Sequence, residues 1–247
     1  MPSQASGKIP AVLRAAMRGE LPARYRGEFW HDHFDAAVAA QLRPGLRILD
    51  LGSGAYPAVP PGQRPEGIEY VGLDISRSEL ERAPEGSYDS WHVSDAVLPQ
   101  PELRERFDLI LSYQTMEHIK PLSEAVENAH SYLVPGGVMV TQLTGAFSLF
   151  GILNRAVPHR LAVWALEHLL SRNPGDVFPA HYDKCWYSAL RGLFARWSEA
   201  RIEPLYTSAG YLGFARPLQA LYLVAEELWV RRDARNLAAY YLITAVK

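Results

Sequence analysis

The feature that most constrains this chain is an apolar, strand-forming run that stops abruptly on glycines. Residues 46–51 close on Asp50 and Leu51, and Gly52-Ser53-Gly54 follow at once. A strand that ends in a glycine-rich turn is a signal for a ligand loop. The continuation is unusual, because residues 57–67 carry Pro57, Pro60, Pro61, Pro65, Gly62 and Gly67. That composition excludes a helix interior and predicts a long irregular loop. Tyr70-Val71-Gly72-Leu73 then reaches Asp74, a short helix is expected over 76–82, and a weak strand at 91–93 ends in Ser94-Asp95. Residues 107–112 read as a buried strand. Leu122, Ala125, Val126, Ala129 and Leu133 recur at helical spacing until Pro135-Gly136-Gly137, and 138–143 restarts as a strand. Strand and helix alternate, which is the pattern of parallel βαβ crossovers in a doubly wound sheet.

The second half has a different texture. Residues 149–170 read as two helical pieces split at Pro158, and Trp186, Leu190, Phe194 and Trp197 share one face of a further helix. A strand is expected over 200–206, an amphipathic helix over 214–232 and a last strand over 238–246. The organisation predicted is an N-terminal helical flap (1–43), a sheet domain (44–145 and 198–247) and a helical cap insertion (146–197). Residues 131–154 contain no charge, yet Pro135, Gly136 and Gly137 interrupt them and Thr141, Gln142 and Thr144 sit in the middle. A strand followed by an apolar helix is therefore expected rather than a transmembrane span, and peripheral membrane contact stays open. With 25 Lys and Arg against 27 Asp and Glu the net charge is −2, which argues against a nucleic-acid partner. The single Cys185 cannot form an internal disulfide and fits a reducing, cytoplasmic compartment.

Asp50, Asp74 and Asp95 mark three successive strand ends, with Asp74 lying 24 residues after Asp50. In open α/β sheets the ligand sits outside the carboxyl ends of the strands, where strand order reverses. An acid after the second strand can hold a ribose diol and one after the third can reach an adenine edge. A dinucleotide site would require G-x-G-x-x-G opening a helix for the pyrophosphate. Here Pro57 takes the place of the third glycine, so NAD and FAD are disfavoured. S-adenosyl-L-methionine has no phosphate and fits a loop in which Gly52 and Gly54 admit close backbone approach beside Asp50.

Residues 47–54 resemble motif I of class I S-adenosylmethionine-dependent methyltransferases. Residues 70–76 resemble their second-strand motif, Ser94-Asp95-Ala96 the third, 107–119 the fourth, and Leu133-Val134-Pro135-Gly136-Gly137 the turn before the fifth strand. The likeness covers roughly residues 44–145. It implies a Rossmann-like, seven-stranded sheet with an antiparallel last strand. It also implies cofactor contacts at Asp50, Gly52, Gly54, Asp74, Ile75, Asp95, Ala96 and Ser112. Residues 25–30 and 178–182 are similar to segments of bacterial methyltransferases of sugar, cell-envelope and natural-product pathways. Ubiquinone-pathway relatives carry E-x-x-E-H after the fourth strand. This chain has Gln114-Thr115-Met116-Glu117-His118, one carboxylate short, so no metal is expected.

On the acceptor side, His118 is the first candidate base and His181 the second, with Tyr113, Glu117 and Tyr182 as candidate substrate contacts. Each has a structural alternative: the Glu117-His118 pair can cap the next helix, and 181–183 can be a surface loop. Tyr25, Phe29 and Trp30 with Arg26 read either as a flap, Arg26 pairing with the cofactor carboxylate, or as a helix on the sheet edge. The expected activity is transfer of a methyl group to a small-molecule hydroxyl. The alternative is a cofactor-binding regulatory module without turnover.

Overall fold

The computed structural model describes residues 9–25, 31–149, 151–152 and 179–247. The sequence opens with helices α1 (Ile9–Met17) and α2 (Asp32–Ala39) and then builds strands β1 (Arg47–Leu51) and β2 (Glu69–Asp74). Helix α3 (Arg77–Glu81) leads to β3 (Ser90–Val93) and β4 (Phe107–Tyr113), and α4 (Leu122–Tyr132) to β5 (Leu133–Thr144). The chain continues through α5 (Tyr187–Leu193), β6 (Glu199–Leu205), α6 (Arg216–Arg231) and β7 (Tyr240–Val246). The expected helix over 76–82 is α3, whose N-cap Ser76 accepts the Glu79 N–H at 3.3 Å. Helix α4 ends at Tyr132, before the Pro-Gly-Gly turn, which sits inside the long β5.

The seven strands lie in the order β3-β2-β1-β4-β5-β7-β6. Strands β1 to β5 run parallel to one another, whereas β7 runs antiparallel to both β5 and β6. The order reverses at β1, which pairs Leu49 with Val71 on one side and Ile110 on the other. That is the switch point at which open α/β sheets bind ligands.

Side-chain alternation separates the core into two layers. Leu49, Leu51, Val71, Leu73 and Ile110 join Leu122, Val126, Leu190 and Trp197 on one face, while Ile48, Tyr70, Leu109 and Leu111 join Phe34 and Val38 on the other. Cys185, Leu190, Phe194 and Trp197 therefore belong to the sheet core, although the sequence suggests an insertion up to residue 197. The rest of that expected cap, residues 150 and 153–178, falls outside the described residues.

A third cluster joins α1 to α6 through Val12, Ala16, Ala220 and Leu223. Beneath it Arg24, with its side chain 7% exposed, pairs with the buried Glu226 and Glu227, and its Nε donates to the Tyr206 carbonyl at 2.9 Å. The Tyr25 hydroxyl donates to Glu226. The expected N-terminal flap is thus fastened to α6 at Tyr25, while 26–30, with Arg26, Phe29 and Trp30, lie outside the described residues.

Candidate active site

A cavity of about 410 Å³ opens at the carboxyl ends of β1 to β4. Gly52, Gly54, Asp74, Ile75, Asp95 and Ala96 line one part of it, and Tyr113, Gln114, His118, Lys120, Pro179 and His181 the other. The volume falls in the ~300–1,000 Å³ range of small-molecule sites. A second cavity, of about 450 Å³, is lined by His31, Phe34, Asp35, Asp50, Ser53 and residues of the proline-rich loop. Gly52 and Tyr113 line both.

Gly52 sits where no side chain fits. Its φ is +75°, and a Cβ there would lie 2.1 Å from Thr115 Cγ2. The Thr115 hydroxyl in turn donates to the Gly52 carbonyl at 3.2 Å, holding the β1 and β4 ends together. Asp74 closes the other side: Oδ2 accepts the Gly54 N–H at 3.0 Å and Oδ1 the Ser76 N–H at 2.8 Å. Burial pushes its carboxyl up from the ordinary value, and the backbone N–H groups of Ser76, Gly54 and Ile75 pull it back. A carboxylate has about four acceptor positions, so it keeps capacity for a ligand hydroxyl. Asp95 uses Oδ1 to accept the Val97 N–H at 3.1 Å.

The structure keeps other expected residues out of the first cavity. Asp50 lies inside β1 on the face of Ile48, lines the second cavity, and has both its hydrogen bonds on Oδ2, from Ala58 N at 2.7 Å and the Tyr70 hydroxyl at 2.7 Å. Full burial pushes its carboxyl up to about 6. Ser112 is fully buried in the β4–β5 pairing, opposite Thr141, and lines neither cavity. Tyr182 is also buried, and Asp183 caps α4 by accepting the Leu122 N–H at 2.9 Å. Glu117 stands behind the wall rather than in it. Its side chain is buried, and its carbonyl accepts the N–H groups of both His181 and Tyr182 at 2.9 Å. This seam places His181 beside His118, whose Nδ1 contacts the Pro179 carbonyl at 3.2 Å. Since a carbonyl only accepts, Nδ1 carries the proton and Nε2 is the basic nitrogen.

The sequence assigns no role at the site to His31, Tyr56, Gln114, Thr115 or Pro179, which line the two cavities. The signal for Gln114 and Thr115 was their place directly after β4, the same position that drew attention to Asp74 after β2. His31 stacks on Tyr113, with ring centroids 4.3 Å apart, and Phe34 lies against the same ring at 4.9 Å. No group of three or more His, Cys, Asp or Glu able to hold a metal occurs among the described residues.

A family model described as "Methyltransferase domain" matches residues 23–197. The ubiquinone biosynthesis O-methyltransferase of Bradyrhizobium sp. (strain ORS 278) is 33% identical over 99 residues, 39% of this chain and 39% of the relative. That of Mesorhizobium japonicum is 32% identical over 105 residues, 41% of this chain and 42% of the relative. The chain thus matches about two fifths of the length of these curated relatives. Among solved structures, a SAM dependent methyltransferase from Archaeoglobus fulgidus superimposes with a TM-score of 0.51 at 18% identity, covering 91% of this chain and 96% of that one. The Haemonchus contortus phosphoethanolamine N-methyltransferase 2 in complex with S-adenosyl-L-methionine gives a TM-score of 0.55 at 13% identity, covering 97% and 57%. At such identities these two structures speak for the fold.

Proposed function

This chain belongs to the methyltransferase domain family, and on that premise we propose that it methylates a hydroxyl oxygen of a small-molecule acceptor. S-adenosyl-L-methionine is the cofactor, and when bound it supplies a methyl group already activated by the sulfonium. The fit rests on the cavity that Gly52 and Gly54 line and on the acceptor capacity left to Asp74. In this reading Asp74 holds the ribose diol, Asp95 and Ala96 the adenine edge, and Ile75 covers the ring. Asp50 and His31 would hold the methionine end in the second cavity, which shares Gly52 and Tyr113 with the first.

The observation that carries the proposal is one cavity lined both by Asp74, at the end of β2, and by two histidines, His118 and His181. The protein's work on such a methyl group is orientation and exclusion of water. His118 presents Nε2 as the base for the acceptor's proton, and His181 is the second candidate. The names of the O-methyltransferase relatives support oxygen as the acceptor atom. A sugar, lipid-linked or natural-product hydroxyl suits the apolar lining given by Leu51, Leu73, Ile119 and Pro179.

A cytoplasmic setting and peripheral membrane contact belong to the same proposal. The former is supported by the one cysteine, buried and free. The latter is supported by the exposed Leu13 and Met17 on α1 and Phe214, Leu218 and Leu221 at α6. Among the described residues no helix is long and apolar enough to cross a membrane.

The test is untargeted metabolomics of a deletion strain, seeking species lighter by one methylene. It is followed by methyl transfer from labelled S-adenosyl-L-methionine to those species with the purified protein. Stabilisation by the cofactor without transfer to any acceptor pool would favour the regulatory module instead.

A further inference from the structure

Helix α6 is built inside out. Its two carboxylates, Glu226 and Glu227, are buried, held by Arg24, Tyr25 and the Ser208 N–H. Every residue of 217–228 that is not buried is uncharged: Pro217, Leu218 and Leu221 are exposed, and Tyr222, Val224, Ala225 and Leu228 half-buried. Leu218, Leu221, Ala225 and Leu228 recur at helical spacing, so they form one outward stripe. A helix packed on a domain normally shows the reverse, with its apolar stripe inward and its charges toward water.

The apolar surface continues beyond α6. Phe214, just before the helix, is 83% exposed. On α1, which packs against α6 through Val12, Ala16, Ala220 and Leu223, Leu13 and Met17 are exposed one turn apart. Large apolar side chains exposed together on neighbouring elements mark a docking surface.

The charges beside them have one sign. Arg14 on α1, Arg216 at the start of α6 and Arg232 at its end are exposed. Neither helix carries an exposed carboxylate, since α1 has no acid and the acids of α6 are the two buried glutamates. The acids that follow the helices, Glu20 and Asp233, are paired with Arg18 and Arg235, each at 2.7 Å.

That sign selects the occupant. A second copy docked on the same face about a two-fold axis would bring these arginines together, with no exposed carboxylate on either helix to meet them. An anionic lipid surface satisfies both parts, because apolar side chains enter the boundary between headgroups and acyl chains while arginines meet the phosphates. The place in the fold agrees. The segment carrying α6 leaves β6 at Leu205 and enters β7 at Tyr240, which pair with each other, and Tyr240 also pairs with Thr144 at the carboxyl end of β5. Both ends of the segment therefore lie at the sheet edge on which the cavity opens.

We propose that the α1–α6 face docks on an anionic lipid surface, with Phe214, Leu218 and Leu221 entering the lipid and Arg14 and Arg216 meeting its phosphates. This rests on the peripheral membrane contact proposed above and gives it a face and a lipid charge. The burial of Glu226 and Glu227 then has a use, since it keeps carboxylates off the side that meets the bilayer.

The experiment sediments the full chain with vesicles of phosphatidylcholine alone and of phosphatidylcholine mixed with phosphatidylglycerol, without cofactor or acceptor. Expected are binding to the mixed vesicles, weaker binding to the neutral ones, and loss of the difference with added salt. Arg14→Gln with Arg216→Gln should weaken binding to the mixed vesicles by about 5- to 30-fold, about fivefold for each arginine that meets the surface. Leu218→Gln with Leu221→Gln should weaken it by about tenfold or more. All of these side chains are exposed, so the melting temperatures should stay near that of the parent. The control is Arg43→Gln with Arg104→Gln, which removes the same charge from exposed positions before β1 and β4, at the opposite edge, and should bind as the parent does. Equal binding to both kinds of vesicle, binding to neither, or a control that loses as much as the α1–α6 pair overturns the proposal. So does a lipid-free dimer that Leu218→Gln with Leu221→Gln dissolves, since the face would then belong to a second copy. A chain that docks but transfers no methyl group strikes the proposed function and leaves this surface standing, whereas one that transfers and does not dock strikes this proposal alone.

Discussion

The Tyr70 hydroxyl donates to Asp50 at 2.7 Å and accepts the Val59 N–H at 3.1 Å, so the carboxylate of the first strand is tied to β2 and to the proline-rich loop. Tyr70→Phe removes one link from each side and leaves two buried groups short of a partner. A loss of about 1–3 kcal/mol is expected, read as a lower urea midpoint with an unchanged slope.

Asp50 also sets a pH dependence. Its folded-state value, about 6, lies above the ordinary 3.8, so between them the folded protein binds the proton more tightly than the unfolded chain does. The stabilisation is complete below pH 3.8 and is lost as pH rises through about 6. The shift corresponds to about 3 kcal/mol. Asp50→Asn should flatten that slope and keep the fold, since both donors address one oxygen, which an amide also provides. Urea titrations between about pH 4 and pH 7 check it; an identical slope in the variant would refute the assignment.

Asp74→Ala should weaken S-adenosyl-L-methionine binding by roughly 10- to 100-fold, the loss of one or two charge-assisted hydrogen bonds. Calorimetry measures it. From sequence alone a strand-end carboxylate facing a ligand is expected to contribute little to the fold, but this one also accepts the Gly54 and Ser76 amides. A lower melting temperature without ligand is therefore expected as well.

Gly52→Ala should abolish cofactor binding, because the new methyl would overlap Thr115 and φ is +75°. Adding Thr115→Gly removes the atoms in the way and should restore part of the stability, though not the backbone strain. Thermal melts of the two variants, each with and without cofactor, separate these contributions.

His118→Ala and His181→Ala should lower turnover while cofactor affinity stays within about threefold, since contacts made to acceptor or transition state do not enter the cofactor's binding energy. Full activity of both on the true acceptor would remove them as bases.

What the sequence disclosed was set by period and punctuation. Apolar runs that stop on Gly or Asp located β1, β2 and β3, and their spacing implied parallel crossovers. The same period-two rule would have turned Asp50 away from Leu49 and Leu51 and toward the Ile48 face, but position at a strand end was given more weight. Glu117 and Tyr182 were singled out as polar groups beside an expected pocket. Their burial follows from the seam in which the Glu117 carbonyl takes two N–H groups from residues 64 and 65 positions later, a pairing that no local pattern announces. Gln114 stands where the metal-binding motif has a carboxylate, and its contact with Thr144 exists only because β5 lies beside β4.

The Arg24–Glu226 pair spans 202 residues of sequence. During synthesis, at ~5–20 residues per second, the arginine waits about 10 to 40 seconds before its carboxylate partners are made. Over that interval α1 has no α6 to lie on, and its apolar side is open to whatever is nearby in the cell. The strands around the cofactor cavity are all made by residue 144, so the binding edge can form well before the N-terminal segment finds its place. The clasp is a late event in the life of each molecule, and a nascent chain stalled after β5 would be the form in which a chaperone meets α1 bare.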